Sequence, residues 1–77
     1  MTRSALISGK VMEISSPDEN VYRYVVKDDK HRILITEWFG ENILSIGNRI
    51  MMKGEKRVRK VNSKTESYIA VSQLTLF

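Results

Sequence analysis

The sequence predicts an all-β domain, a small five-stranded barrel with one short helical turn between its third and fourth strands. Three observations point there. Short runs rich in β-branched and aromatic residues alternate with polar turn clusters along the whole chain. Gly9 lies inside the first run, where small barrels use glycine to turn corners. No repeat, low-complexity stretch or Pro/Gly/Ser linker divides the 77 residues, which make one domain and are too few for two.

The first run spans roughly Ala5 to Ile14, with Ile7 and Val11 on one face. Ser15-Ser16-Pro17-Asp18-Glu19-Asn20 then reads as a loop. In the second run, Val21 to Lys27, Arg23 and Lys27 share one parity and mark the outer face. Tyr24 and Val26 are therefore expected inside. Asp28-Asp29-Lys30 is a turn. The third run, Arg32 to Phe39, is apolar on both faces, so parity leaves open whether Ile33 and Ile35 or Leu34, Thr36 and Trp38 are buried. Gly40 to Gly47 has room for one helical turn, too short to be stable alone. Arg49 to Val61 is a long strand with Ile50 and Met52 expected inward. Asn62-Ser63-Lys64-Thr65 turns the chain, and Glu66 to about Leu76 is the last strand.

Hydrophobic residues are 42% and charged residues 29%, a globular balance. A chain this short buries only about 60% of its unfolded surface, so the core is thin. With no cysteine, neither a disulfide nor a thiolate metal site supplements it. No stretch approaches the ~20 apolar residues of a membrane span. Met1-Thr2-Arg3-Ser4 is followed by no long apolar run, so no signal peptide is expected and a cytoplasmic setting is. The net charge of +4 is unevenly placed. Residues 1–48 are net −1 and residues 65–77 net −1, while residues 49–64 are net +6.

The order of strand, loop, strand, turn, strand, helical turn, strand, hairpin, strand resembles an OB-fold over the whole of 1–77. Gly9-Lys10-Val11 is similar to that family's Gly-x-Val in strand one. Val26-Lys27-Asp28 with Ile33-x-Ile35 is similar to its second hairpin. Leu44-x-x-Gly47-Asn48-Arg49-Ile50-x-Met52-x-Gly54 resembles its entry into strand four. An SH3-like barrel is the competing architecture. The resemblance implies a binding surface on strands two and three, flanked by the 1–2 and 4–5 loops.

The residues on such a surface suit a single-stranded nucleic acid. Lys53, Lys56, Arg57, Arg59, Lys60 and Lys64 on the strand 4–5 hairpin, with Arg23 and Arg49, are candidate phosphate contacts. Neutralising phosphates releases counterions and gives affinity without sequence preference. The competing reading is a charged, protected strand edge. Trp38 either stacks a base beside Arg23 and Val25, if Ile33 and Ile35 face the core, or plugs one end of the barrel. Tyr68 can go either way.

Gln73-Leu74-Thr75-Leu76-Phe77 resembles the bacterial sliding-clamp-binding peptide, Gln-Leu-(Ser or Asp)-Leu-Phe, with Thr at the variable place. Under that resemblance residues 73–77 form a candidate partner-binding peptide, in which Gln73 makes polar contacts and Leu74, Leu76 and Phe77 fill an apolar pocket. The alternative is that they simply end strand five.

Catalysis has little to stand on, and an enzyme is not expected. His31 is the only histidine and sits in a turn. No carboxylates show metal-ligand spacing, no phosphate-loop glycines occur, and no cofactor is expected. The leading expectation is non-specific binding of single-stranded DNA in replication, repair or recombination. The alternatives are a protein adaptor docking on a sliding clamp or a larger replication subunit, and a small RNA-binding protein.

Overall fold

The computed structural model describes Arg3–Phe77; Met1 and Thr2, which open the 1–77 domain range and the N-terminal stretch read above, lie outside the described residues. Five strands form: β1 (Arg3–Asp18), β2 (Val21–Asp28), β3 (Ile33–Phe39), β4 (Arg49–Val61) and β5 (Lys64–Leu76). They hydrogen-bond in the order β1-β2-β3-β5-β4, and β4 returns to β1, so the sheet closes into a ring. All pairings are antiparallel except β3 with β5, which meet in parallel at Thr36↔Ile69 and Glu37↔Ala70. The β1-β2-β3 meander, with β4 returning beside β1, is a Greek key.

β1 makes closure possible because it belongs to two ladders. Residues Arg3 to Lys10 pair with β4, and Gly9 to Asp18 pair with β2. At Gly9 the two ladders converge: it faces Asp28 on one side and Ile50 on the other. A Cβ there would run into the carbonyl oxygen of Lys27, so the crossing needs glycine. Register shifts between Val11 and Glu13, and between Ser15 and Asp18, carry the bend onward.

Alternation then fills the ring. Ile7, Val11, Tyr24, Val26, Ile50, Met52, Ile69 and Val71 form the buried core. Tyr24, Val26, Ile50 and Met52 point inward as their parity predicts. Each such side chain contributes about 1.5–3 kcal/mol by leaving water. On β3 the ambiguity resolves towards Leu34, Thr36 and Trp38, which face the core side. Ile33, at 60% exposure, faces out. Trp38 is half-buried against the core and its indole N–H donates to the Glu41 carbonyl at 3.0 Å.

Three expectations need correction. The loop read over Ser15–Asn20 is mostly strand. β1 runs to Asp18, and only Glu19 and Asn20 turn, with Asn20 at φ 58°. The last turn is shorter than the Asn62–Thr65 span. Asn62 and Ser63 both have positive φ, 50° and 65°, and Lys64 and Thr65 already pair with Val61 and Lys60. This is a two-residue hairpin turn of the I′ kind, whose twist matches the strands.

The short helical turn expected between the third and fourth strands does not form. Side chains take over the backbone donors that a helix would have used. Asn42 Oδ1 accepts from the Leu44 N–H at 3.1 Å and from the Tyr24 hydroxyl at 2.7 Å. Asn48 Oδ1 accepts from the Ser45 N–H at 2.7 Å, and the Gly47 N–H donates to the Val11 carbonyl. Such local bonds compete with helix formation. They pin the segment as an irregular cover that drops Leu44 into the core.

Candidate nucleic-acid interface

The hairpin of β4 and β5 is longer than the ring it closes. β4 leaves β1 after the rung at Lys56, and β5 reaches β3 only at Ile69. Residues 57–68 therefore pair only with one another, as an arm that stands beyond the ring. The predicted basic hairpin is this arm and its root.

A buried carboxylate ties the arm down. Glu37 lies on β3 at the parity that faces away from the core, opposite Arg23 of β2, yet it is only 3% exposed. Arg59, reaching across from the arm, donates from Nη1 to Glu37 Oε1 at 3.2 Å and from Nη2 to Oε2. Arg23 Nη2 donates to the same Oε2 at 3.4 Å. Glu66, the cross-strand partner of Arg59, completes the set: Arg59 Nε donates to its Oε2 at 3.3 Å, and its Oε1 lies 3.6 Å from Arg23. The Arg59 guanidinium also sits 4.4 Å above the centroid of the Tyr68 ring. Two cations meet two carboxylates, so the cluster is neutral. Hydrogen bonding to Glu37 pushes the Arg59 guanidinium still further up, and it is a permanent cation.

This sorts the predicted phosphate contacts. Arg23 and Arg59 are turned inward to Glu37 and Glu66. Arg49 pairs with Asp29 at 3.0 Å and Arg57 with Glu55 at 3.4 Å, both in the open, where such pairs hold weakly. Lys53, Lys56, Lys60 and Lys64 are exposed and have no carboxylate partner among the described residues. Free positive charge on the β4–β5 hairpin thus belongs chiefly to lysines. Trp38 lies on the other face of β3, away from this cluster.

Beside the arm, the start of β3 and the start of β5 splay apart below their two shared rungs. The gap is a cleft of about 510 Å³ with an apolar lining. Ile33, Ile35, Val58 and Tyr68 supply that lining, and Arg3, Lys56 and Arg57 also border it.

The peptide Gln73–Phe77 is part of the ring. Gln73, Leu74, Thr75 and Leu76 pair with Lys53, Met52, Met51 and Ile50, and the Phe77 N–H donates to the Arg49 carbonyl at 3.0 Å. Leu74 is packed against the core, while Leu76 and Phe77 are exposed.

At the start of β3, Asp28 organises the turn holding His31. Its Oδ1 accepts from the Lys30 and Arg32 N–H groups at 3.0 and 2.8 Å, and its Oδ2 from Arg32 Nε at 2.8 Å. Burial alone would raise its pKa. The bonds from Arg32 and Lys30 outweigh that and hold the carboxyl below the usual range. His31 itself is exposed with φ 64°. No group of three or more His, Cys, Asp or Glu is placed to hold a metal ion among the described residues. Nor is any helix among them long and apolar enough to cross a membrane.

Sequence reading missed Glu37 as the anchor and the cleft beside the arm. The first had a signal. Arg59 falls opposite Glu66 in any hairpin centred on Asn62-Ser63, and Arg23 falls opposite Glu37 once the β2–β3 hairpin is centred on Lys30, the last residue of the Asp28-Asp29-Lys30 cluster. Compared with known proteins, the chain matches no family model, and no curated protein or solved structure matches it.

Proposed function

We propose that this chain is an OB-type barrel that binds single-stranded nucleic acid, DNA in the first place, without sequence preference. The observation that carries the reading is the arm together with its root on β4: residues 49–64 hold a net charge of +6, and Lys53, Lys56, Lys60 and Lys64 are exposed without carboxylate partners among the described residues. Charge so concentrated exceeds what solubility requires, and extended cationic arms suit a flexible polyanion. The five-stranded Greek-key ring supports the OB assignment, whose usual binding face is that of the second and third strands.

The test is fluorescence anisotropy of labelled poly-dT titrated with the protein at low and at physiological salt. Micromolar or tighter binding is expected. If about three to five phosphates are neutralised, log affinity falls against log salt with a slope of about −2 to −3.5. Replacing Lys56 and Lys60 by Ala makes the slope shallower. No binding at low salt removes the proposal. An RNA oligonucleotide of matched sequence separates DNA from RNA preference, since only RNA offers 2′-hydroxyls.

A second reading, docking on a sliding clamp through Gln73, Leu74, Leu76 and Phe77, draws on the exposure of Leu76 and Phe77. Leu74 packs against the core, so the clamp would have to accept the strand end as it stands or peel it from β4. Deleting Leu76 and Phe77 should abolish clamp binding while poly-dT binding persists; unchanged clamp binding removes this reading.

A further inference from the structure

The arm and the cleft beside it do different work. Resting on the nucleic-acid reading above, we propose that the cleft between the starts of β3 and β5 receives an unstacked base of the bound single strand. Arg57 and Lys56 hold the flanking phosphates.

The argument begins with charge. Arg23 and Arg59 are committed to Glu37 and Glu66, and releasing Arg59 to a phosphate would leave Glu37 buried with half its partners. They are positioning residues that fix the arm against β3. The cations left to meet an anion here are Arg3, Lys56 and Arg57, the last held only by its open pair with Glu55, and all three border the cleft. A cationic border selects an anionic occupant.

The lining then sets what the anion must carry. Ile33 and Val58 are 60% and 66% exposed, large apolar side chains turned to solvent on facing sides of one gap. Tyr68 joins them, with the Arg59 guanidinium against one face of its ring. At about 510 Å³ the space falls within the range of small-ligand sites and has room for a base with its sugar. An anionic chain bearing flat, apolar-faced groups at regular intervals meets both conditions, and a single-stranded nucleic acid is such a chain.

Base and phosphate contacts respond differently to salt, so they can be separated. The experiment compares poly-dT with an abasic deoxyribose-phosphate strand of the same length, for the full chain and for the I33S/V58S double variant. Both substituted side chains are more than half exposed, so folding is not at stake, and circular dichroism checks it. The double variant should bind poly-dT about five- to tenfold more weakly with an unchanged salt slope, and the abasic strand as before. Arg57→Ala should weaken both strands alike and make the slope shallower by about 0.7. Equal poly-dT affinity for the double variant and the unaltered chain overturns the cleft proposal and leaves the nucleic-acid reading standing. So does an equal loss on both strands, which would mean that the cleft holds backbone. Failure of the unaltered chain to bind poly-dT at low salt overturns both.

Discussion

Glu37 combines three properties that seldom meet in one side chain: it is ionisable, it is 3% exposed, and it lies on the outward-facing side of its strand. It is buried because the arm covers it, and the arm is held because Arg59 reaches it. Glu37→Gln keeps the shape and removes the charge that Arg23 and Arg59 share. The loss of charge-assisted hydrogen bonds is expected to cost about 2 kcal/mol, measured by urea unfolding. Arg57→Ala, which breaks the open pair with Glu55 and an exposed contact with Tyr68, should leave the midpoint nearly unchanged. Asp28 makes a pH-dependent contribution. Its folded pKa lies below the ordinary carboxylate value, so its stabilisation is complete above about pH 4 and is lost as pH falls through the lower, folded value. The stability gap between the chain and Asp28→Asn should therefore be constant from pH 5 to 7 and close as the medium is acidified below about pH 4. These single-residue roles were partly legible. The alternation of β2 marked Arg23 as outward and Tyr24 as inward. Nothing in the local sequence said that Glu37, also outward, would be covered.

At the level of elements, the hairpin turn decides which side chains meet across the arm. Centred on Asn62-Ser63, it sets Arg59 against Glu66 and Arg57 against Tyr68. The wider turn read from the Asn-Ser-Lys-Thr cluster would have shifted this register, because turn length and register are one quantity in a hairpin. Ser63 holds a left-handed φ of 65° with a Cβ, a conformation that disfavours any residue but glycine or asparagine. Ser63→Gly should relieve that, partly offset by the entropy of a freer unfolded chain. A net gain of about 0.5–1 kcal/mol, or a few degrees in thermal midpoint, is expected, with the arm unchanged by NMR. A loss of stability would show that the Ser63 side chain has a role in the arm. The segment between β3 and β4 was illegible for a different reason. Its composition allows a helical turn, but Asn42 and Asn48 satisfy the backbone first, and Leu44 is drawn inward by the open end of the ring.

For the molecule as a whole, strand number and order were legible because each run carries its own period-two pattern and its own turn signals. Closure was expected from the order of the elements and from Gly9 as a corner, but that β1 would serve two ladders was not, since no local pattern announces it. That sharing also shapes how the chain reaches its native state. The β1-β2-β3 meander joins neighbours in sequence, whereas the seam of Arg3–Lys10 against Arg49–Lys56 joins segments far apart. Loop-closure entropy must be overcome before the seam contributes anything, so folding is expected on the order of milliseconds to seconds rather than microseconds. Contacts of the meander should form before the barrier and contacts of the seam after it. In stopped-flow chevrons, Val26→Ala should then mainly slow folding and Ile50→Val mainly speed unfolding. The bend at Gly9 thus divides the chain in time as well as in space: a part that assembles by proximity, and a part that must wait for its distant partner.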